Sequence, residues 1–243
     1  MERRGAAAVI IGNEVLSAKV QDLNGTHLIA RLRDRGIELR WMATVPDEVD
    51  AVVGAVSHAR SIARYVFTSG GIGPTHDDVT VRAVALALGR RVVRLPELEA
   101  LVRRHDRDAS PQAFRLAEAP EGTELLWREG TWYPVLHCDS VYLLPGVPQL
   151  FKIQLETVLA RLEGTPMRLR CLYLSLGEPE IARALDAVAM SMPQVAIGSY
   201  PEFDRAAGYR VKVTVENLEM ELVEAAVAML RSELPDGSIL RVE

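Results

Sequence analysis

Thr68-Ser69-Gly70-Gly71-Ile72-Gly73-Pro74-Thr75-His76-Asp77-Asp78-Val79-Thr80 decides how the rest of this sequence is read. Ahead of it, Tyr65 to Thr68 is a short apolar run that reads as a buried strand. Behind it, Val81, Val84, Ala85 and Leu88 recur on one side of a helix. Between the two stand the turn formers Gly70, Gly71, Gly73 and Pro74. A strand that passes through such a turn into a helix is half of a βαβ unit. Sheets built from those units bind ligands beyond the carboxyl ends of their strands.

The flanking sequence repeats the alternation. Ala6 to Ile11 is an apolar run closed by Gly12-Asn13-Glu14 and reads as a first buried strand. Gln21 to Arg35 follows as a helix, with Leu28, Ile29 and Leu32 on one face and Gly36 at the C-cap position. Ile37 to Val45 reads as a second strand. Val49, Val52, Val53 and Val56 then form the stripe of a helix packed on a sheet, with Asp47 as its N-cap. From Pro96 to Trp132 the pattern weakens into a charged helical stretch and a Pro/Glu/Gly-containing connector. Val141 to Leu144 restores it as a strand entering Pro145-Gly146-Val147-Pro148, and Phe151, Leu155, Val158 and Leu162 mark the next helix. Residues 1–165 are therefore expected to form a three-layer α/β/α domain with a mainly parallel sheet.

Glu163 to Pro166 reads as a boundary, and residues 166–243 as a small α+β domain. Leu169, Cys171 and Tyr173 alternate with Arg168, Arg170 and Leu172, and Tyr209, Val211, Val213 and Val215 alternate with Arg210, Lys212, Thr214 and Glu216, the pattern of half-buried strands. Two helices, marked by Ile181, Leu185 and Val188 and by Leu222, Ala225, Ala226 and Met229, give a βαββα order that a last strand at Ile239-Leu240 closes.

Composition excludes more than it selects. With 49% hydrophobic and 25% charged residues the chain has the balance of a soluble globular protein. A net charge of -5 and scattered arginines argue against nucleic acid as partner. Cys138 and Cys171 stand far apart without CxxC spacing, which suggests neither a disulfide framework nor zinc and fits the cytoplasm. No stretch approaches the ~20 apolar residues of a membrane span. The histidines show no HExxH spacing, so a histidine metal site is not expected.

The loop itself suggests chemistry. Gly70, Gly71 and Gly73 let backbone N–H groups approach an anion, and the following helix N-terminus adds partial positive charge. Ser69 to Thr80 therefore reads as a phosphate cradle. It lacks the Gly-Lys-Ser/Thr of a P-loop and the GxGxxG of a dinucleotide fold. Asp77 and Asp78 would repel a phosphate unless a cation lay between, and Mg²⁺ is held by one or two carboxylates plus substrate phosphates. The competing reading is capping, since Thr75-x-x-Asp78 resembles a capping box, although two adjacent acids cannot cap one helix in the same way. Glu14, Asp22 and Asn24 fall near the same strand-end edge. Taken singly, Asp22 and Asn24 read as helix caps and Glu14 as a solvated acid. His76 is either polar surface or an acid that protonates a leaving phosphate.

These residues resemble a known family. Gly70 to Thr80 is similar to the GGxGPTxDDxT motif of the MoaB/MogA molybdopterin-binding superfamily, in the CinA-like branch that includes CinA amino-terminal and FAD-synthetase-associated domains. Ile11-Gly12-Asn13-Glu14-Val15-Leu16, Asp22-Leu23-Asn24, Val45-Pro46-Asp47 and Leu144-Pro145-Gly146-Val147-Pro148 resemble that branch's other motifs in order, and Ile197 to Pro201 with the Tyr209 to Val215 strand resembles the segment that follows. The resemblance implies a divalent-metal-dependent pyrophosphatase for ADP-ribose- or FAD-like nucleotides. Molybdopterin binding or adenylyl transfer, and a non-catalytic sensing or assembly module, are the alternatives. It implies Asp47 and Asp78 as catalytic residues, to which the reading of the loop adds His76. Ser69, Gly70, Gly71, Gly73, Thr75, Asn24, Pro145 and Gly146 would bind the ligand, while Glu14, Asp22, Asp77 and Asp78 would hold Mg²⁺ or another divalent cation. A homo-oligomer is expected on the same grounds. Asn13, Ala18 and Leu23 depart from the family's Asp, Gly and Thr, which leaves open whether chemistry is retained. The sequence ends at Glu243 without a deamidase or synthetase domain, so neither activity is expected.

Overall fold

The computed structural model describes residues 5–243, and the chain divides into two compact units, one ending at Gly164 and the other spanning Thr165–Glu243. The first unit begins with β1 (Ala6–Ile11), α1 (Asn13–Leu16), α2 (Leu23–Asp34), β2 (Leu39–Val45), α3 (Val49–Ile62), β3 (Tyr65–Ser69) and α4 (Thr80–Ala87). It continues with β4 (Val92–Arg94), α5 (Pro96–His105), β5 (Glu118–Pro120), β6 (Glu124–Leu126), β7 (Val135–Cys138), β8 (Val141–Leu144) and α6 (Pro148–Leu159).

Six strands form one sheet in the order β2-β1-β3-β8-β7-β6. The first four run parallel, and β7 and β6 return antiparallel. β1 is buried on both faces, which is why its sequence is continuously apolar rather than alternating. Ala7, Val9 and Ile11 join one core with Val52, Val56 and Ala59 of α3 and Val84 of α4. Ala6 and Ala8 join another with Leu28 and Leu32 of α2 and Phe151 and Leu155 of α6. Helices on both faces of a mainly parallel sheet make the three-layer α/β/α architecture.

Local differences from expectation have physical causes. Ile29 is exposed, because α2 buries only the narrower stripe of Leu28 and Leu32. Asp22 does cap this helix, accepting from Gly25 N–H at 2.8 Å. Asp47 does not cap α3, whose flank at Glu48 makes no side-chain cap bond. Its carboxylate turns back to accept from Asn13 N–H at 2.8 Å. The stretch after α5 contains a 3-10 turn (Pro111–Ala117), β5, which pairs with β4 from ahead of α5, and the β6/β7 hairpin. Strands of three or four residues are too short to display a period.

In the second unit β9 (Arg168–Leu174), α7 (Glu178–Ser191), β10 (Ala196–Pro201), β11 (Val211–Asn217), α8 (Met220–Glu233) and β12 (Ile239–Val242) follow in βαββαβ order. The sheet is antiparallel, ordered β10-β11-β9-β12. Val211, Val213 and Val215 face the core as their alternation predicts, together with Ile181 and Val188 of α7 and Val223 and Leu230 of α8. In β9 the buried pair is Leu172 and Leu174, the opposite parity to Leu169, Cys171 and Tyr173. Arg170 shares the parity of Leu172 and stays solvated by pairing with Glu224 of α8, Nε to Oε1 at 2.8 Å.

Candidate functional site

The carboxyl ends of β1, β3 and β8 meet at one edge of the first unit, where Gly70 N–H donates to Leu144 O at 3.1 Å. Gly70 has φ 104°, and a Cβ there would lie 2.2 Å from Ile11 O, so only glycine lets the ends of β1 and β3 approach this closely. The chain then turns through Gly71 into α4. Thr80 locks this turn, its hydroxyl donating to Gly70 O at 2.8 Å and its N–H to Gly71 O at 2.9 Å.

Asp78 organises the rest of the loop. One carboxylate oxygen accepts from Gly73 N–H at 2.7 Å, and the other accepts from Thr75 N–H at 2.7 Å and lies 2.5 Å from the Thr75 hydroxyl. A Cβ on Gly73 would fall 2.6 Å from that carboxylate, so glycine there makes room for an acid. The Thr75-to-Asp78 contact is half a capping box with no helix attached, since α4 starts at Thr80. The expected phosphate cradle is thereby altered. Gly70, Gly73 and Thr75 already spend their N–H groups on the protein, and among the described residues those of Gly71 and Ile72 have no protein acceptor.

Beside this loop lies a cavity of about 600 Å³, within the roughly 300–1,000 Å³ usual for small-molecule sites. Its polar lining includes Glu14, Asp47, Gly70, Gly71, Gly73, Asp77, Asp78, Thr131, Gly146 and Gln154. Its apolar lining includes Leu116, Trp132, Tyr133, Val147, Leu150 and Ile153. Four carboxylates therefore border one cavity, and among the described residues that line it there is no Lys or Arg. The Asp77 carboxyl is held below the usual carboxylate range, chiefly by the Thr75 hydroxyl at 2.6 Å and secondarily by its own backbone N–H, so it stays ionised.

Other expected site residues stand elsewhere. Asp22, Asn24 and Ser69 line a separate cavity of about 60 Å³, which shares Glu14, Ile11 and Gly146 with the large one. Asn24 is buried and donates to Ser69 Oγ at 2.9 Å and to Gly146 O at 2.8 Å, tying α2 to both strand-end loops, while its Oδ1 has no partner. Pro145 and Gly146 line the large cavity. His76 does not. Its side chain is 95% exposed and lies 3.9 Å from Asp77. Among the described residues no three His, Cys, Asp or Glu side chains form a metal-holding group, so Glu14, Asp22, Asp77 and Asp78 do not assemble as one ligand set.

Sequence reasoning missed the wall opposite in chemistry to these acids. Tyr133 is buried and donates its hydroxyl to Leu116 O at 2.7 Å. Gln154 of α6 donates to Tyr133 O at 3.0 Å. Arg115 donates to Thr75 O at 2.8 Å, joining the 3-10 turn to the glycine loop. The available signal was Trp132-Tyr133, two adjacent large rings after the polar run Arg128 to Thr131.

The fold and site define a class: a three-layer α/β/α domain with a ligand-sized cavity at the carboxyl edge of its parallel strands. Residues 7–164 match the family described as "Probable molybdopterin binding domain", and the chain belongs to that family. Residues 166–243 match the "FAD synthase, middle domain" family. The chain is 30% identical to a probable FAD synthase of Caenorhabditis elegans over 98% of its own length and 51% of that protein. It is 31% identical to a CinA-like protein of Geobacter metallireducens, covering 96% of this chain and 58% of the relative. It thus spans little more than half of either. A solved structure, the protein CinA with unknown function from Thermoplasma acidophilum, superposes with TM-score 0.62 at 26% identity over 65% of this chain and 98% of that one. Among the described residues no helix is long and apolar enough to cross a membrane.

Proposed function

We propose that the first unit binds a pyrophosphate-containing nucleotide of the ADP-ribose or FAD type and hydrolyses it with a divalent cation. The observation that carries this reading is the cavity lining, four carboxylates without Lys or Arg beside two N–H groups that lack a protein acceptor. A diphosphate entering such a cavity needs its charge balanced from elsewhere. One or two of Glu14, Asp47 and Asp77 would supply oxygen donors for Mg²⁺, which needs no more carboxylates than that when phosphate oxygens and waters complete its shell. When bound, the cation would supply charge neutralisation and a lowered pKa for water. The chain's own contributions are distinct. Gly71 and Ile72 donate N–H groups to phosphate oxygens, Asp78 holds the loop that presents them, and the apolar wall keeps bulk water from the ligand.

The test is mass-spectrometric detection of AMP after incubation with ADP-ribose, FAD and NAD, first with Mg²⁺ or Co²⁺ and then with EDTA. Release that needs the metal and falls in Asp77→Asn supports the reading, and no release from any of the three defeats it. A second reading, binding of a phosphorylated pterin without hydrolysis, is favoured by Asp78, because both of its oxygens are engaged by the loop. Molybdopterin affinity in a protein silent towards all three nucleotides is its signature.

A further inference from the structure

We propose that Trp132 is the shelf on which the planar ring of the ligand stacks, so that the site selects pyrophosphates bearing a heteroaromatic group. The inference deepens the pyrophosphate reading and rests on it. Trp132 lines the large cavity and is 37% exposed, unusual for an indole beside a core. His105, the last residue of α5, lies flat on one of its faces, with ring centroids 4.5 Å apart and planes at 17°. The indole's other face and its edge are what remain for the cavity.

The shelf is fixed before any ligand arrives. Tyr133, tilted at 53° with its centroid 5.3 Å from that of Trp132, is anchored at both ends, its hydroxyl on Leu116 O and its carbonyl on Gln154. A ring stacked on a histidine and touching an anchored neighbour loses little freedom on binding, which is the condition for a stacking contact to yield affinity. Leu116, Leu150 and Ile153 line the same cavity and suit the hydrophobic edge of a base, flavin or pterin. The acids and the glycine loop suit the phosphates. A ligand with a ring at one end and a pyrophosphate along its length satisfies both chemistries of one cavity, whereas a bare phosphate leaves the aromatic wall without a partner.

Titration of the full chain with FAD and ADP-ribose, each as its non-hydrolysable methylene-bisphosphonate analogue, and with inorganic pyrophosphate in the presence of Mg²⁺, by equilibrium dialysis, separates the possibilities. Trp132→Ala is expected to weaken FAD and ADP-ribose by roughly 5- to 100-fold, the range for loss of one stacked base, and to leave inorganic pyrophosphate unchanged. Trp132→Phe, which retains a ring, is expected to stay within about 5-fold of wild type. Circular dichroism establishes that both variants fold, and Trp132→Phe carries the test should Trp132→Ala not fold: under stacking it still favours FAD over inorganic pyrophosphate. Undiminished FAD and ADP-ribose binding by Trp132→Ala, or loss of that preference in Trp132→Phe, overturns the shelf while leaving the pyrophosphate reading standing. A wild-type protein that binds none of the three overturns both.

Discussion

Asp78 is the residue on which the loop most depends, and its role is read from its acceptors rather than its charge. Two backbone N–H groups, Gly73 and Thr75, end on one carboxylate at 2.7 Å each. Asp78→Asn offers only one oxygen to the pair. It should expose at least one of those amides to fast hydrogen exchange and cost about 1 to 3 kcal/mol of stability. Unaltered exchange at Gly73 and Thr75 would remove Asp78 from this role. Thr75 makes a different prediction, because its hydroxyl is the main reason that Asp77 titrates low. The sign follows from the direction of the shift. A carboxyl depressed in the folded state contributes stability that is present above its ordinary value near ~3.9 and is lost as pH falls through the lower folded value. In Thr75→Val the Asp77 titration should move up towards the ordinary value, read by carbon NMR of the carboxyl, and metal-dependent ligand binding should fade from a higher pH on acidification. At this scale the sequence was informative about which residues matter and less so about how. Glycines and paired acids announced a loop built for an anion, but an N–H can be spent on Asp78 as readily as on phosphate, and only geometry distinguishes the two.

Among the elements, the short helix α1 carries a cost that its sequence records. Ala18, just beyond it, has φ 56°, the left-handed region that a Cβ disfavours by about 1 kcal/mol. Ala18→Gly should therefore raise stability by about 0.5 to 1 kcal/mol, read as the denaturant midpoint of the first unit, and a lower midpoint would show that the position is not strained. The same segment marks where elements were and were not legible. The helices with a full period, α2, α3 and α6, follow from apolar spacing because each must cover a sheet face, and the strands β1 and β8 follow from unbroken apolar runs because each is covered on both faces. α1 spans four residues and buries none of them, so it leaves no apolar stripe to read. Trp132 escaped for a related reason: it follows a loop, and its partner His105 lies 27 positions earlier, a separation that no local pattern encodes.

For the molecule as a whole, the large cavity is lined by the first unit. Every residue lining the large cavity falls between Ile11 and Gln154, and none belongs to Thr165–Glu243. The second unit has a core of its own, in which Leu172, Leu174, Val211, Val213 and Val215 pack against α7 and α8. A domain of this size with a core of its own can fold independently. Residues 1–164 expressed alone should therefore keep the nucleotide affinity of the full chain to within about threefold, and residues 165–243 alone should give a dispersed amide spectrum and a cooperative thermal transition. If the isolated first unit folds but loses nucleotide affinity by an order of magnitude, the cavity is not the whole of the binding site. That result would place part of ligand recognition in the second unit, a role its βαββαβ sheet does not disclose by itself.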